Sequence, residues 1–275
     1  MPKVILIVSD AMGFDASTYT MGAIEGLVEA GKARRWKLKS CLPSLSAPLY
    51  ETIHTGIAPA DHGVLTNFDV PLSTNPSIFS EVVSAGKTTG AVAHSMFSEL
   101  YNASPYDALR DMEVNDHEKN IQHGRFYLDH AHSPYNLSIP SDHDIFALTT
   151  IMIRDHAPDY VLSHTFSADE VGHNYGGTSR EYYSQCRKIN DSIVMFLPHW
   201  IEAGYRVLFT ADHGMSEDGR HGGTSDVERD VPLYDIGHPD GGTAEGEHDQ
   251  RALAPTVLGI LGIKPPESML IAPLT

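Results

Sequence analysis

The apolar positions of this chain fall into short runs separated by longer mixed segments. VILIVS (4–9), TTGAVAHS (88–95), YVLSHTF (160–166) and YRVLFTA (205–211) are brief and rich in β-branched or aromatic residues, the pattern of buried strands. Between them the apolar spacing turns helical, which predicts helices over 15–31, 47–55, 76–85, 142–156, 179–203 and 252–261, the last with Pro255 in its first turn. Strands that alternate with helices predict an α/β fold, with a mostly parallel central sheet and helices on both faces. Open sheets of this kind often run to the 275 residues of this chain as one unit, so a single domain over 1–275 is expected. Residues 96–141 depart from the rhythm, being rich in Asp, Asn, His, Tyr, Ser and Pro with little periodicity. Long irregular stretches in compact domains are often functional lids. This one is expected to be a cap inserted over the sheet's active edge, with a polar surface excursion as the alternative.

Charge narrows the classes. Lys+Arg 19 against Asp+Glu 36 leaves a net charge of −17, which repels phosphate backbones and anionic membranes and argues against a nucleic-acid-coating role. A bound cation would offset part of that charge and let an acidic protein hold an anionic substrate. The opening MPKVILIVSD has no long apolar core and no small-residue cleavage pattern, so it reads as a first strand. No window reaches the roughly 18 apolar residues of a membrane span, and a soluble, cytoplasmic protein without a membrane partner is expected. Cys41 and Cys186 are the only cysteines and give neither a disulfide framework nor a thiolate site. With 16 histidines present, any metal must be bound by imidazole and carboxylate.

Such groups gather where the predicted strands end: Asp10 after the first, Asp169 and His173 after 160–166, Asp212 and His213 after 205–211. In open α/β sheets ligands bind beyond the carboxyl ends of the strands, so these scattered positions would meet in one site. Singly each has a plainer reading, because an Asp after a strand commonly caps a helix or forms a turn. Jointly they favour a metal site, with Gly172 and Gly214 allowing close backbone approach. Other chemistries lack their motifs: there is no G-x-S-x-G and no G-x-G-x-x-G, and Gly86-Lys87-Thr88 is not a P-loop because position 81 is Glu.

ADHGM (211–215), followed by RHGG (220–223) and VPL (231–233), resembles the metal-binding segment of the alkaline phosphatase superfamily. SADEVGH (167–173) is similar to its Asp-x-x-x-His ligand pair, and PSLSAPLYETIHTGIAPADHGVLTN (43–67) resembles the nucleophile region of the nucleotide pyrophosphatase/phosphodiesterase branch. The resemblance runs in the family's order from Asp10 to LAPTVLGILGI (253–263) and omits only the expected cap. It implies an alkaline phosphatase-like fold, two divalent metal ions, and hydrolysis of a small-molecule phosphate ester through a phosphorylated Ser46. Phosphodiesters or nucleotide pyrophosphates are the first substrate class. A phosphomonoesterase, phosphonate hydrolase or phosphomutase of the same superfamily is the alternative, and a non-catalytic metal-binding protein on this scaffold is the reading from another class. A sulfatase is disfavoured because Tyr50 stands where its motif needs arginine.

Residue by residue, the branch places its nucleophile nine positions before Thr-Gly and two before proline, which here is Ser46, ahead of Pro48 and Thr55-Gly56. That position is commonly threonine in the family, and serine offers an equivalent hydroxyl; Ser44 is the rival, and a helix cap is the plainer role for Ser46. The resemblance implies that Asp10, Asp212, His213 and Ser46 hold one metal, and Asp169, His173 and His221 the other. These donors suit Zn²⁺, with Mn²⁺ as the main alternative. His221 is favoured because it follows His213 and precedes VPL, as in the mutase and sulfatase-like branches. His248, in GEHDQ, competes with it, since the diesterase branch takes its last histidine from a later segment. Asn67 is implied to hold a non-bridging phosphoryl oxygen, with a turn asparagine as the plainer role. No basic residue is anchored to these motifs as monoester-specific relatives require, which tilts the substrate toward a diester. His117, His123, His130 and His132 of the expected cap read as solvated.

Overall fold

The computed structural model describes residues 3–128 and 139–275. Nine strands form one sheet: β1 (Lys3–Ser9), β2 (Ala33–Lys39), β3 (Thr89–His94), β4 (Glu113–Asn115), β5 (His123–Tyr127), β6 (Tyr160–Thr165), β7 (Tyr205–Thr210), β8 (Asp230–Ile236) and β9 (Gly242–Asp249), in the order β4-β5-β3-β6-β1-β7-β8-β2-β9. The five strands from β5 to β7 are parallel. β8 runs antiparallel to β7 and β2 antiparallel to β8, so β2 and its parallel neighbour β9 point the same way as the centre. The four apolar runs read as strands are β1, β3, β6 and β7, which lie at the middle, where both faces are covered and continuous hydrophobicity is required.

On one face pack α1 (Phe14–Thr20), α2 (Gly22–Glu29), α8 (Asp142–His156), α9 (Ser167–Tyr175) and α10 (Arg180–Glu202); on the other lie α3 (Ser46–Thr55), α5 (Ile78–Ser84), α6 (Ser95–Tyr101) and α12 (Leu253–Ile260). The one-turn helices α4 (Pro59–His62), α7 (Ala108–Asp111) and α11 (Asp226–Arg229) sit in connections. Val4, Ile5, Leu6, Ile7 and Val8 of β1 have no exposure at all, and each such side chain contributes about 1.5–3 kcal/mol by leaving water. Among the described residues no helix is long and apolar enough to cross a membrane.

Three expectations change. The helix expected over 15–31 breaks at Met21, whose ψ of 55° is not helical. The Thr20 hydroxyl donates back to the Ala16 carbonyl, and the chain restarts as α2, with Ala23 N–H on the Asn190 side chain. Of the stretch 96–141, β4 and β5 extend the sheet beyond β3, α6 packs on the face that carries α3, and 129–138 fall outside the described residues, His130 and His132 with them. His123 is not solvated: it is buried on β5, bonds Asn115 Oδ1 at 2.9 Å and stacks on His156 at 4.0 Å. Burial, then His156 and His117, push its pKa down to about 4.

Candidate active site

β6, β1 and β7 are neighbours and parallel, so the segments that follow them leave from one edge of the sheet and bring Asp169, Asp10 and Asp212 together. β2, pointing the same way, delivers Ser44 and Ser46 to that edge. The backbone locks the pieces together. Asp10 N–H donates to Thr165 O at 2.8 Å, and the N–H groups of Ala11 and His213 donate to Asp212 Oδ1 at 3.1 and 2.9 Å. Gly214 is required here, because a Cβ on it would lie 2.1 Å from Val227 O.

Three histidines share a geometry. His213 Nδ1 lies 3.0 Å from Gly214 O, His173 Nδ1 2.8 Å from Gly219 O and His221 Nδ1 3.1 Å from Ser44 O. A carbonyl at Nδ1 fixes the proton there and leaves Nε2 as a free lone pair, the arrangement of metal-ligating imidazoles. The Nε2 atoms converge on the carboxylates: His213 lies 3.4 Å from Asp10 Oδ1 and 3.3 Å from Asp212 Oδ2, while His221 and His173 are each 3.4 Å from an oxygen of Asp169. Asp169 and His173 stand four residues apart on α9 and so share its face. Ligand atoms of Asp10, Asp212 and His213 come within 4.8 Å of one another, and so do those of Asp169, His213 and His221. His221 also stacks on His213 at 3.9 Å and meets His173 Nε2 at 3.1 Å. His248 does not join them; it pairs with Leu38 on β9, and its ring rests on Glu245 O at 3.1 Å.

The electrostatics fit a cation. Asp10 and Asp212 are wholly buried, and Asp10 Oδ1 and Asp212 Oδ2 have no hydrogen-bond partner. Burial and then the Asp10 carboxylate push Asp212 up to about 7. Burial also opposes ionisation of Asp10, but His164 at 3.6 Å, the charge of His213 and the Tyr50 hydrogen bond outweigh it and hold Asp10 below the ordinary range. Two adjacent carboxylates cannot both stay ionised in such a place without positive charge between them, and divalent ions on oxygen and nitrogen donors supply that charge. Burial, then His213, pushes His221 down to about 3, so it is a neutral donor.

Ser46 is the first residue of α3 and does not cap it: the cap position is Leu45, which has no side-chain cap bond. Its Oγ is 3.4 Å from His213 Nε2. Pro48 removes one of the helix's unpaired N–H groups, and Asn67 Oδ1 accepts another, that of Ala47, at 2.9 Å. Asn67 is thus fixed at the first turn of α3, on the residue after Ser46. The Ser44 hydroxyl is engaged elsewhere, donating to Gly223 O and accepting from Gly222 N–H, which anchors the loop that carries His221.

The sequence reading missed Tyr50, His164, Tyr127 and Gln250. Tyr50 OH donates to Asp10 Oδ2, and His164 Nε2 lies 3.6 Å from the same oxygen. Tyr127 OH is 2.8 Å from His164 Nδ1, and Gln250 donates to the carbonyls of Ala211 and Asp212. Two signals were available: Tyr50 follows Ser46 by four residues on one helix, and His164 interrupts an apolar strand.

Known proteins resemble this chain in sequence and in fold. The chain is 23% identical over 245 residues to the catalytic subunit of GPI ethanolamine phosphate transferase 2 of Homo sapiens, covering 84% of this chain and 23% of that protein. It is 25% identical over 236 residues to ectonucleotide pyrophosphatase/phosphodiesterase family member 3 of Rattus norvegicus, covering 74% and 26%. It therefore spans about a quarter of the length of these relatives. Its fold is the alkaline phosphatase-like fold of murine ectonucleotide pyrophosphatase/phosphodiesterase 5, solved as an inactive variant in complex with AMP, with a TM-score of 0.71, 11% identity, and 97% and 96% of the two chains covered. The family model for type I phosphodiesterase / nucleotide pyrophosphatase matches residues 4–223, a span that holds Asp10, Ser46, Asn67, Asp169, His173, Asp212, His213 and His221, and the chain belongs to that family.

Proposed function

We propose that this chain hydrolyses phosphate esters, diesters and nucleotide pyrophosphates ahead of monoesters, through a phosphoserine on Ser46. The observation that carries this reading is the position of Ser46 Oγ, at the first residue of α3 and 3.4 Å from the His213 Nε2 that belongs to both groups of ligand atoms. Asp10, Ser46, Asp212 and His213 would hold one divalent ion, and Asp169, His173 and His221 the other, with Zn²⁺ the best match to the donors and Mn²⁺ the next. When bound, such ions stabilise charge on phosphoryl oxygens and favour the ionised form of a hydroxyl that they touch.

The chain's own residues do the rest. The Ser46 hydroxyl gives up its proton to solvent and its Oγ forms a bond to phosphorus while the bond to the leaving oxygen breaks; the leaving group departs with that electron pair and takes a proton from solvent where its basicity requires one. The N-terminus of α3 presents the Ser46 N–H and the positive end of its dipole to the phosphoryl oxygens. Asn67, held through Oδ1, has its Nδ2 donors for a non-bridging oxygen. Water then attacks the phosphoserine, the bond to Oγ breaks, Ser46 recovers its proton, and two inversions leave the configuration at phosphorus unchanged. Among the described residues no lysine or arginine shares a hydrogen bond or ion pair with Asp10, Ser46, Asp212 or His213, which supports a diester monoanion over a monoester dianion. Likeness to an ethanolamine phosphate transferase supports a second reading, in which an alcohol replaces water in the second step.

The test is hydrolysis of bis-p-nitrophenyl phosphate, p-nitrophenyl phosphate and a phosphonate monoester by the Zn²⁺- and Mn²⁺-loaded protein and its Ser46→Ala variant. The diester should be preferred, and the variant should keep its metal yet lose roughly 10³-fold or more in turnover. Undiminished turnover in the variant would sink the reading. Addition of an acceptor alcohol such as glycerol separates the two acceptors, since a transferase yields the substituted ester.

A further inference from the structure

We infer that Tyr50 and His164 are positioning residues for Asp10, gripping one of its oxygens so that the other faces a cation shared with Asp212 and His213, and that Tyr127 holds His164 in turn. The inference rests on the two-metal reading of the site.

The two oxygens of Asp10 are treated unequally. Oδ2 accepts from Tyr50 OH and lies 3.6 Å from His164 Nε2, whereas Oδ1 has no hydrogen-bond partner and faces His213 Nε2 at 3.4 Å. A carboxylate buried for structure alone has both oxygens satisfied, as with Asp235, whose two oxygens each take a bond of 2.6 Å from Arg206. Leaving one oxygen of a wholly buried carboxylate unsatisfied costs several kcal/mol, unless a ligand supplies the missing charge.

The gripping groups are themselves rigid. Tyr50 has no exposure, stacks on Phe97 at 4.3 Å and meets the His164 ring edge-on at 5.0 Å. It stands one helical turn after Ser46, so α3 carries the hydroxyl and the grip on one face. His164, fully buried on β6, pairs in register with Val8 of β1, two residues before Asp10. Tyr127 OH lies 2.8 Å from His164 Nδ1 and donates to the His164 carbonyl at 3.0 Å, so it holds both the ring and the backbone of His164 and leaves Nε2 turned toward Asp10 Oδ2. Tyr127 ends β5, and through this path the outer strands of the sheet support a ligand three strands away. Partners behind ligating groups commonly change metal affinity by roughly 10–100-fold when removed.

The experiment is a competition titration of Zn²⁺ against a chelator, on the full chain stripped of metal, with thermal unfolding of each protein measured in the presence and absence of Zn²⁺. Two equivalents are expected for the unaltered chain. Tyr50→Phe and His164→Leu should weaken one equivalent about 10–100-fold and spare the other, with the metal-free Tm of each variant reading separately the stability that the lost contact carried. His164→Gln keeps an N–H at similar reach and should stay within a few-fold of the unaltered protein; Tyr127→Phe should fall between. Unchanged affinities, equal loss of both equivalents, or a Gln variant as weak as the Leu variant would overturn the inference while leaving the two-metal reading intact. An unaltered chain that takes up no metal would overturn both.

Discussion

At its N-terminal end α3 faces carboxylates with unsatisfied oxygens; toward its other end the same helix buries Glu51 and His54 with every polar atom engaged. Glu51 Oε1 accepts from Ser73 at 2.5 Å and Asn75 at 3.2 Å, and Oε2 from Tyr101 at 2.8 Å. His54 reaches the Tyr50 carbonyl through Nδ1 and the Tyr160 hydroxyl through Nε2, with its ring on Phe79. Both regions bury an acid and a histidine, and only one leaves Asp10 Oδ1 and Asp212 Oδ2 unsatisfied. Burial of polar groups is therefore not what marks a site. The mark is a set of buried polar groups arranged around a place where no protein atom completes them.

The largest effect that would break this contrast is at Asp212. Asp212→Asn removes a ligand oxygen, and with it should go the bound metal and essentially all turnover, a loss of roughly 10³-fold or more. In the metal-free protein the same change relieves repulsion from Asp10, so stability there should hold or rise. Metal analysis beside thermal unfolding in chelator reads both, and an active, fully metallated variant would remove Asp212 from the ligand set.

A smaller effect sharpens the other side. Burial pushes His54 from its ordinary 6.5 down to about 4. The unfolded chain then binds a proton near pH 6.5 that the folded chain refuses until pH 4, so the stability His54 contributes is complete above 6.5 and falls as pH drops through that window, by at most about 3 kcal/mol. Denaturant titrations of the parent and of His54→Gln should give curves whose difference slopes between pH 6.5 and 4 and is flat above. A flat difference throughout would mean that His54 takes up its proton as readily in the fold as in the unfolded chain.

How much of this the sequence revealed follows the same division. Asp10, Asp169, Asp212 and their histidines were legible because ligands at strand ends depend on local motifs and on strand polarity, both of which leave marks in sequence. β9, GTAEGEHD, was not legible: it carries almost no apolar residue and exists through backbone pairing with β2. β2 itself alternates Trp36 and Leu38 with Lys37 and Lys39, a readable signal that the helical spacing before it obscured. β4 was hidden inside a polar stretch because the sheet edge it forms needs little burial, and β5 because its buried positions include His123 and Gly124, which carry no apolar signal. Tyr50 meets Asp10 across 40 residues, His164 meets it across 154, and Tyr127 reaches it only through His164, 37 residues away, so the helical spacing of Tyr50 and the lone imidazole in an apolar strand were the only local marks they left.

The smallest test concerns Glu51, the acid most easily mistaken for a catalytic one. It is fully buried in the helix that carries Ser46, and burial raises its pKa despite bonds from Ser73, Tyr101 and Asn75. Glu51→Gln keeps the shape but replaces one accepting oxygen by an NH₂ group, which must face at least one of the donors now bound there. The unmade bond should cost about 1–2 kcal/mol of unfolding free energy. Turnover and metal content should stay near those of the parent, because among the described residues the Glu51 carboxylate bonds Ser73, Asn75 and Tyr101, none of them a proposed ligand. A drop in kcat greater than the stability change explains would place the satisfied cluster in the chemistry, and the contrast between the two ends of α3 would then fail.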